Sequence, residues 1–150
     1  MTKRSNKDYC LVGIQFLLFL IYLIPFDLAF GVADYFRFPN LFFAIIGFSI
    51  VLVGLFNLDK NLTAFPTPKN NSKLITSGLY KYVRHPIYSG ILLTVFGYAF
   101  YSQSISRLTI SVLLLILFYF KTNYEEQKLS QKYPEYSGYK ARTGRFIPDL

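Results

Sequence analysis

The sequence predicts an all-α protein, a polytopic membrane bundle of about four transmembrane helices with a loop and a C-terminal tail gathered at one face. Three observations predict it. Apolar residues make up 53% of the chain and fall in four runs free of Asp, Glu, Lys and Arg. Fourteen of the sixteen Lys and Arg lie in the N-terminal tail, in segment 59–85, or from Lys121 onward. The sole histidine, His85, and the sole pair of adjacent acids, Glu125 and Glu126, stand at the borders of apolar runs.

The first run, Cys10 to Phe26, holds 17 uncharged residues. About 20 apolar residues cross the hydrocarbon of a bilayer, so a span over about residues 10–30 follows. Its apolar part exceeds a signal-peptide core and no A-x-A site comes after it, so the segment is expected to stay in the mature protein. Asp27, beside Pro25, is placed at the outer end of this span, where water reaches it. The second run, Phe38 to Leu58, has 21 residues and predicts a span at 38–58. The segment 59–85 that follows contains "FPTPKNNSK", a turn-rich stretch longer than a connector requires. The third run, Pro86 to Ser106, has 21 residues and predicts a span at 86–105, with proline suited to its first helical position. The fourth, Leu108 to Phe120, has 13 residues, about 20 Å of helix. A span at 107–124 is predicted there, with Arg107 and Lys121 snorkelling from its ends. Beyond it the helix is expected to continue to about Tyr133, where Pro134 permits a break in the tail 125–150.

The distribution of positive charge sets the topology. By the positive-inside rule both termini and the loop 59–85 are expected in the cytoplasm, in a multi-pass integral membrane protein. The net charge of +8 is then accounted for by topology and by anionic membrane lipids, and nucleic acid is not an expected partner. Cys10 is the sole cysteine, so no internal disulfide forms, and no Cys/His spacing suggests a metal. No internal repeat of a transporter kind is present.

Two segments carry candidate chemistry. In "GLYKYVRHPIYSG" His85 falls near the N-cap of the third helix, beside unpaired backbone N–H groups, and Arg84 adds a planar donor fork suited to a carboxylate. Glu125 and Glu126 follow the fourth span. Neighbouring residues on a helix point in different directions, so one of the two at most faces the partner of Arg84. With Arg142, Arg145 and several tyrosines, these groups could hold a zwitterionic, aromatic, positively charged small molecule: an acid for its amine, an arginine or helix N-terminus for its carboxylate, tyrosines for a ring or a sulfonium.

At these residues the sequence resembles the integral-membrane isoprenylcysteine carboxyl methyltransferase and phospholipid methyltransferase superfamily. The first block, G-x-Y-x-x-x-R-H-P-x-Y-x-G, is matched at Gly78, Tyr80, Arg84, His85, Pro86, Tyr88 and Gly90. The second is matched at Glu125, Glu126, Leu129, Tyr136, Tyr139, Arg142, Thr143, Arg145, Ile147 and Pro148, with Tyr133-Pro134 where the family usually has Phe-Gly. The resemblance implies methyl transfer from S-adenosylmethionine to a lipophilic or small hydrophobic acceptor entering from the bilayer. It implies a cofactor site of Tyr80, Val83, Arg84, His85, Pro86, Tyr88, Gly90, Glu126, Tyr136 and Tyr139. Arg84, Glu125, Glu126 and Arg142 are the residues it places near the acceptor; it implies no metal.

The first expectation for the reaction is carboxyl O-methylation of an isoprenylcysteine-like molecule, which needs an arginine to orient the acceptor and no base. N-methylation of a phospholipid amine or S-methylation of a small thiol needs a base, for which Glu125, Glu126 or His85 would serve. A different class, a non-enzymatic module binding anionic lipid through its basic face, predicts salt-dependent liposome binding without cofactor affinity.

Overall fold

Ser5 starts the first helix with a reciprocal cap. Its hydroxyl accepts from the backbone N–H of Asp8, and the Asp8 carboxylate accepts from the Ser5 N–H at 2.8 Å. The computed structural model describes residues 4–24, 29–31 and 34–149, so Asp27 lies outside the described residues. Its helices are α1 (Asn6–Leu23), α2 (Asp34–Leu58), α3 (Pro86–Tyr101), α4 (Ile105–Lys132) and the short α5 (Tyr136–Lys140). Among the described residues there is no strand, only isolated bridges joining Ala29 to Ser104 and Val83 to Gly144.

The termini of α3 and α4 follow from local chemistry. Pro86 begins α3 after His85 at the N-cap, and α3 stops after 16 residues at a turn where Gln103 takes φ +52. Ser104 then caps α4, accepting from the Arg107 N–H at 3.3 Å. The third helix ends at Tyr101, short of the expected 105, and the fourth, expected to continue from 107 to about Tyr133, runs from Ile105 to Lys132. Lys121, expected to snorkel, is 1% exposed inside the bundle, so α4 runs unbroken for 28 residues. It ends at Lys132, with Tyr133 as its cap and Pro134 beyond.

Among the described residues, three helices are long and apolar enough to cross a membrane: Asn6–Leu23, Tyr35–Leu58 and Ile105–Lys132. The apolar α3 is shorter, about 24 Å at the usual rise. Large hydrophobic side chains such as Leu20, Phe42, Phe48, Phe56 and Phe120 stand exposed on the outside of these helices, the reverse of a water-soluble domain. The architecture is that of a polytopic helical membrane protein.

Inside, α2 packs on α3, α3 on α4, and α4 on α1. The core cluster joins Leu18 of α1, Leu92 and Val95 of α3, and Leu114, Leu117 and Phe118 of α4. The α2–α3 contact is a seam of small residues, the usual device where lipid supplies no hydrophobic drive between helices. A Cβ on Gly90 would lie 2.6 Å from the Gly47 carbonyl oxygen and 2.9 Å from the Val51 nitrogen. Gly97 meets the backbone of Asn40 and Ala44 in the same way.

Gly90→Ala is therefore expected to cost about 1–3 kcal/mol, because backbone atoms cannot yield to the added methyl. Gly13→Ala on α1, where nothing lies within 4 Å, should be neutral or stabilising. Thermal unfolding of both variants in detergent checks the contrast, and equal midpoints would refute the seam.

Candidate active site

The loop 59–85 returns to the bundle through a turn that only glycine can make. Gly78 has φ +61, and a Cβ there would lie 2.3 Å from the Asn57 side-chain oxygen. That same oxygen accepts from the Leu79 N–H at 2.9 Å, fastening the turn to the end of α2. The next residues run beside the C-terminal tail: the N–H groups of Arg84 and His85 donate to the carbonyls of Gly144 and Arg145 at 2.8 and 3.1 Å. The Ser89 hydroxyl donates to the Phe146 carbonyl at 2.7 Å. Loop, tail and the first turn of α3 are thereby one unit.

Glu126 locks that unit to α4. It is 3% exposed, and its Oε1 accepts from Arg84 Nε at 2.9 Å and lies 3.2 Å from His85 Nε2. Lys140 Nζ stands 2.9 Å from Oε2, and Arg145 Nε lies 3.4 Å from Oε1. Arg84 also donates through Nη1 to the carbonyls of Lys140 and Thr143. Its guanidinium is fixed in place and largely engaged.

Glu125, about 100° further back around the helix, looks elsewhere. Its Oε2 accepts from the Tyr88 hydroxyl at 3.1 Å. It lines two adjoining cavities that share Tyr80, Arg84 and Glu125 in their walls. The first, about 90 Å³, lies under the loop and tail and includes Phe65, Pro68, Leu129, Tyr136 and Tyr139. The second, about 410 Å³, opens among the helices between Leu55, Leu58, Ile87, Ile91, Tyr88 and Lys121, within the usual size of small-molecule sites.

Three tyrosines of the first cavity, Tyr80, Tyr136 and Tyr139, are held neutral. Burial pushes Tyr139 up to about 12 despite the nearby Arg84 guanidinium, and its hydroxyl donates to the Tyr80 carbonyl at 2.6 Å. Burial also raises Tyr80 and Tyr136 well above the ordinary phenol value. The Tyr136 hydroxyl is buried with no hydrogen-bond partner among the described residues, an unfavourable arrangement that a bound polar group would relieve.

The residues singled out from sequence separate into distinct places. Tyr80, Arg84, Glu125, Tyr136 and Tyr139 line the first cavity, while His85 and Tyr88 line the second. Glu126 stands behind the wall as its anchor. Val83, Pro86 and Gly90 line neither cavity: Val83 bridges to Gly144, Pro86 starts α3, and Gly90 belongs to the α2–α3 seam. Arg142, in the turn after α5, is exposed and donates back to the Gly138 carbonyl on the surface. Arg145 and Lys140 supply the additional positive charges at Glu126 instead.

Sequence reasoning missed Lys140, Gln15 and the inward turn of Lys121. Lys121 donates to Gln15 Oε1, and both are buried. The signal was helical period: Gln15 falls on the buried stripe Val12, Gln15, Leu18 of α1, and Lys121 on the stripe Leu114, Leu117, Phe118, Lys121 of α4. Among the described residues no three His, Cys, Asp or Glu come together as a metal site.

Glu126→Gln should destabilise the protein by about 3 kcal/mol, since it leaves the buried Arg84 guanidinium without its counter-charge. Glu125→Gln should cost about 1 kcal/mol or less. Denaturation of the two variants side by side checks the difference, and equal losses would mean Glu126 is no anchor.

Both cavities and the anchor fall largely in a stretch shared with known proteins. A sequence model described as phospholipid methyltransferase matches residues 37–136. The chain is 33% identical over 85 residues to the cobalt-zinc-cadmium resistance protein CzcN of Cupriavidus metallidurans, covering 55% of this chain and 38% of that protein. It is 31% identical over 83 residues to the nickel-cobalt-cadmium resistance protein NccN of Alcaligenes xylosoxydans xylosoxydans, covering 55% of this chain and 39% of that one. The match thus spans about two fifths of the length of these curated relatives. With the family match running from the start of α2 through the paired acids to the first residue of α5, the chain belongs to the phospholipid methyltransferase family.

Proposed function

We propose that this protein transfers a methyl group from S-adenosylmethionine to the amine of a lipophilic acceptor that enters from the bilayer. The observation that carries the proposal is the meeting of two unlike cavities at Tyr80, Arg84 and Glu125, one beneath the loop and tail and one walled by apolar helix faces. In this reading loop, tail and both termini are cytoplasmic, as the charge distribution favours, and α3 is the fourth and shortest span.

The residues of the first cavity suit the cofactor. Tyr80, Tyr139 and Phe65 offer faces to a cation or an aromatic ring, and Tyr136 offers a hydroxyl without a hydrogen-bond partner among the described residues. S-adenosylmethionine, when bound, supplies an electrophilic methyl group; the protein supplies position and field.

The acceptor is read from what each side chain has left to give. A carboxylate acceptor calls for a free arginine, and Arg84 is engaged by Glu126 and two carbonyls. An amine calls for a base and for an anion to hold its ammonium form, and Glu125 faces the acceptor cavity with Tyr88 orienting one of its oxygens. Glu125 takes the proton that an ammonium must shed before its nitrogen can attack. Burial in a water-poor wall makes positioning the larger part of the catalysis. Carboxyl methylation of an isoprenylcysteine-like molecule is the less supported alternative. A small thiol would use the same base. The relatives' names speak of metal resistance, but with no donor cluster among the described residues they add no second reading.

Protein reconstituted in nanodiscs with methyl-labelled S-adenosylmethionine and a panel of phosphatidylethanolamine, farnesylcysteine and an alkyl thiol tests this. Label should enter the amine lipid in an alkali-stable form, and Glu125→Gln should slow it about a hundredfold. Label released by mild base from farnesylcysteine, with none in the amine lipid, would refute the proposal.

A further inference from the structure

At the end away from the loop and the tail the bundle is open on one side. α1 packs on α4 and α2 packs on α3, so the facing sides of α1 and α2 leave a groove over α3. The groove widens into a cavity of about 500 Å³ among Tyr22, Ala44, Phe48, Thr94, Tyr98 and Arg107, larger than the acceptor cavity and sharing no wall residue with it. Its polar groups differ in what they have left to give. The Tyr22 hydroxyl donates to the Val95 carbonyl at 2.7 Å, and the Thr94 hydroxyl donates to the Gly90 carbonyl at 2.8 Å. Arg107, in the first turn of α4, has its Nε shut off from solvent without a hydrogen-bond partner, and it makes no ion pair among the described residues. Its guanidinium lies 5.1 Å from the centre of the Tyr98 ring. Arg37, at the same end, is engaged with the Tyr101 carbonyl at 3.2 Å. A buried cationic donor left without an acceptor is costly, and a bound anion relieves it.

We propose that this cavity is a lipid site separate from the active site, in which Arg107 holds the phosphate of an anionic phospholipid from the leaflet opposite the loop and tail. One acyl chain of that lipid fills the groove between α1 and α2. The lipid is a resident of the fold and not a methyl acceptor, since Glu125 stands about 27 Å further along α4. The proposal therefore stands whether or not the methyl-transfer reading does. The walls argue for a lipid: they are mostly aliphatic and aromatic, and the cavity lies between membrane helices. The charge argues for an anionic one. Arg107 is the charged residue among the walls, and its planar fork suits a phosphate. Among the described residues no carboxylate lines the cavity to receive the ammonium of a zwitterionic headgroup. A chain lying between α1 and α2 also joins two helices whose main packing is on other neighbours.

Native mass spectrometry of the full chain tests this with phosphatidylglycerol, phosphatidylcholine of the same chains, and palmitate. Wild type should retain one phosphatidylglycerol at least about tenfold more tightly than phosphatidylcholine. Arg107→Gln should erase that preference and Arg107→Lys should keep part of it, with far-ultraviolet circular dichroism confirming that the variants are folded. Lys81→Gln, which removes an exposed cation from the loop face, should leave the preference unchanged. A phosphatidylglycerol carrying a photoreactive group on its acyl chain should label the stretch of α2 around Phe48 in the wild type, a readout that needs no variant. A wild-type protein indifferent to headgroup charge overturns the site, as does a preference that survives in folded Arg107→Gln or labelling that misses α2. Palmitate held as tightly as phosphatidylglycerol would overturn the phospholipid as the occupant.

Discussion

One buried carboxylate organises the loop end of this bundle. Glu126 gathers Arg84 and His85 from the start of α3 and Lys140 and Arg145 from the tail, four positive or potentially positive groups from segments that share no helix. The arrangement is unfavourable without its anion, because the buried Arg84 guanidinium loses hydration and would face Arg145 and Lys140 with no counter-charge between them. With the anion present, two separate pieces of chain, the segment entering α3 and the tail, are bound to α4. Arg84 is the clearest beneficiary: held by Glu126 and by carbonyls of the tail, its guanidinium becomes a rigid part of the cavity wall. The following residue, Glu125, owes its freedom to the same arrangement. Since Glu126 satisfies the arginine, Glu125 is left to face the cavities.

The second constraint comes from the bilayer. Where apolar side chains point outward, helices must cohere through close backbone approach and through polar contacts in the interior. Gly47, Gly90 and Gly97 provide the former for α2 and α3. The Lys121–Gln15 contact provides the latter between α1 and α4. A similar division holds at the loop end. The Asp8 carboxylate accepts from the Thr67 N–H and hydroxyl at 3.2 and 2.8 Å, and Lys132 donates to the Asn70 carbonyl at 3.1 Å and the Ser72 hydroxyl at 2.8 Å. The stretch bearing Phe65 and Pro68, which lines the first cavity, is thus tied to α1 on one side and to α4 on the other. The N-terminal half of α1 contributes this tie although it precedes the residues matched by the family.

Much of the fold was legible because apolar run length is a direct record of bilayer thickness. The helical membrane class, the cap at His85 and the end of α4 near Tyr133 all follow from runs and prolines. Run length fails where a charged side chain turns into the bundle instead of snorkelling from its edge, as at Lys121. In the candidate site the divergence of Glu125 and Glu126 follows from helical geometry alone. What composition does not carry is which cation a carboxylate selects: Arg142 and Arg145 are three residues apart in one tail, and only the latter reaches Glu126, because the tail is paired with residues 83–85 at Gly144 and Arg145. Gln15 was hidden for another reason. One polar residue in an apolar run has no meaning until the partner on the facing helix is known.

The central claim is that the cavity under the loop and tail holds a methyl donor. Calorimetric titration of S-adenosylhomocysteine into the purified protein tests it most directly, with Tyr136→Phe as the comparison because its hydroxyl is buried in that cavity without a hydrogen-bond partner among the described residues. The account predicts saturable binding at one site per chain, weakened by the substitution. Folded protein that takes up no heat with this ligand, or that binds it equally well as the phenylalanine variant, would contradict the account, the first result wholly and the second in its placement of the site.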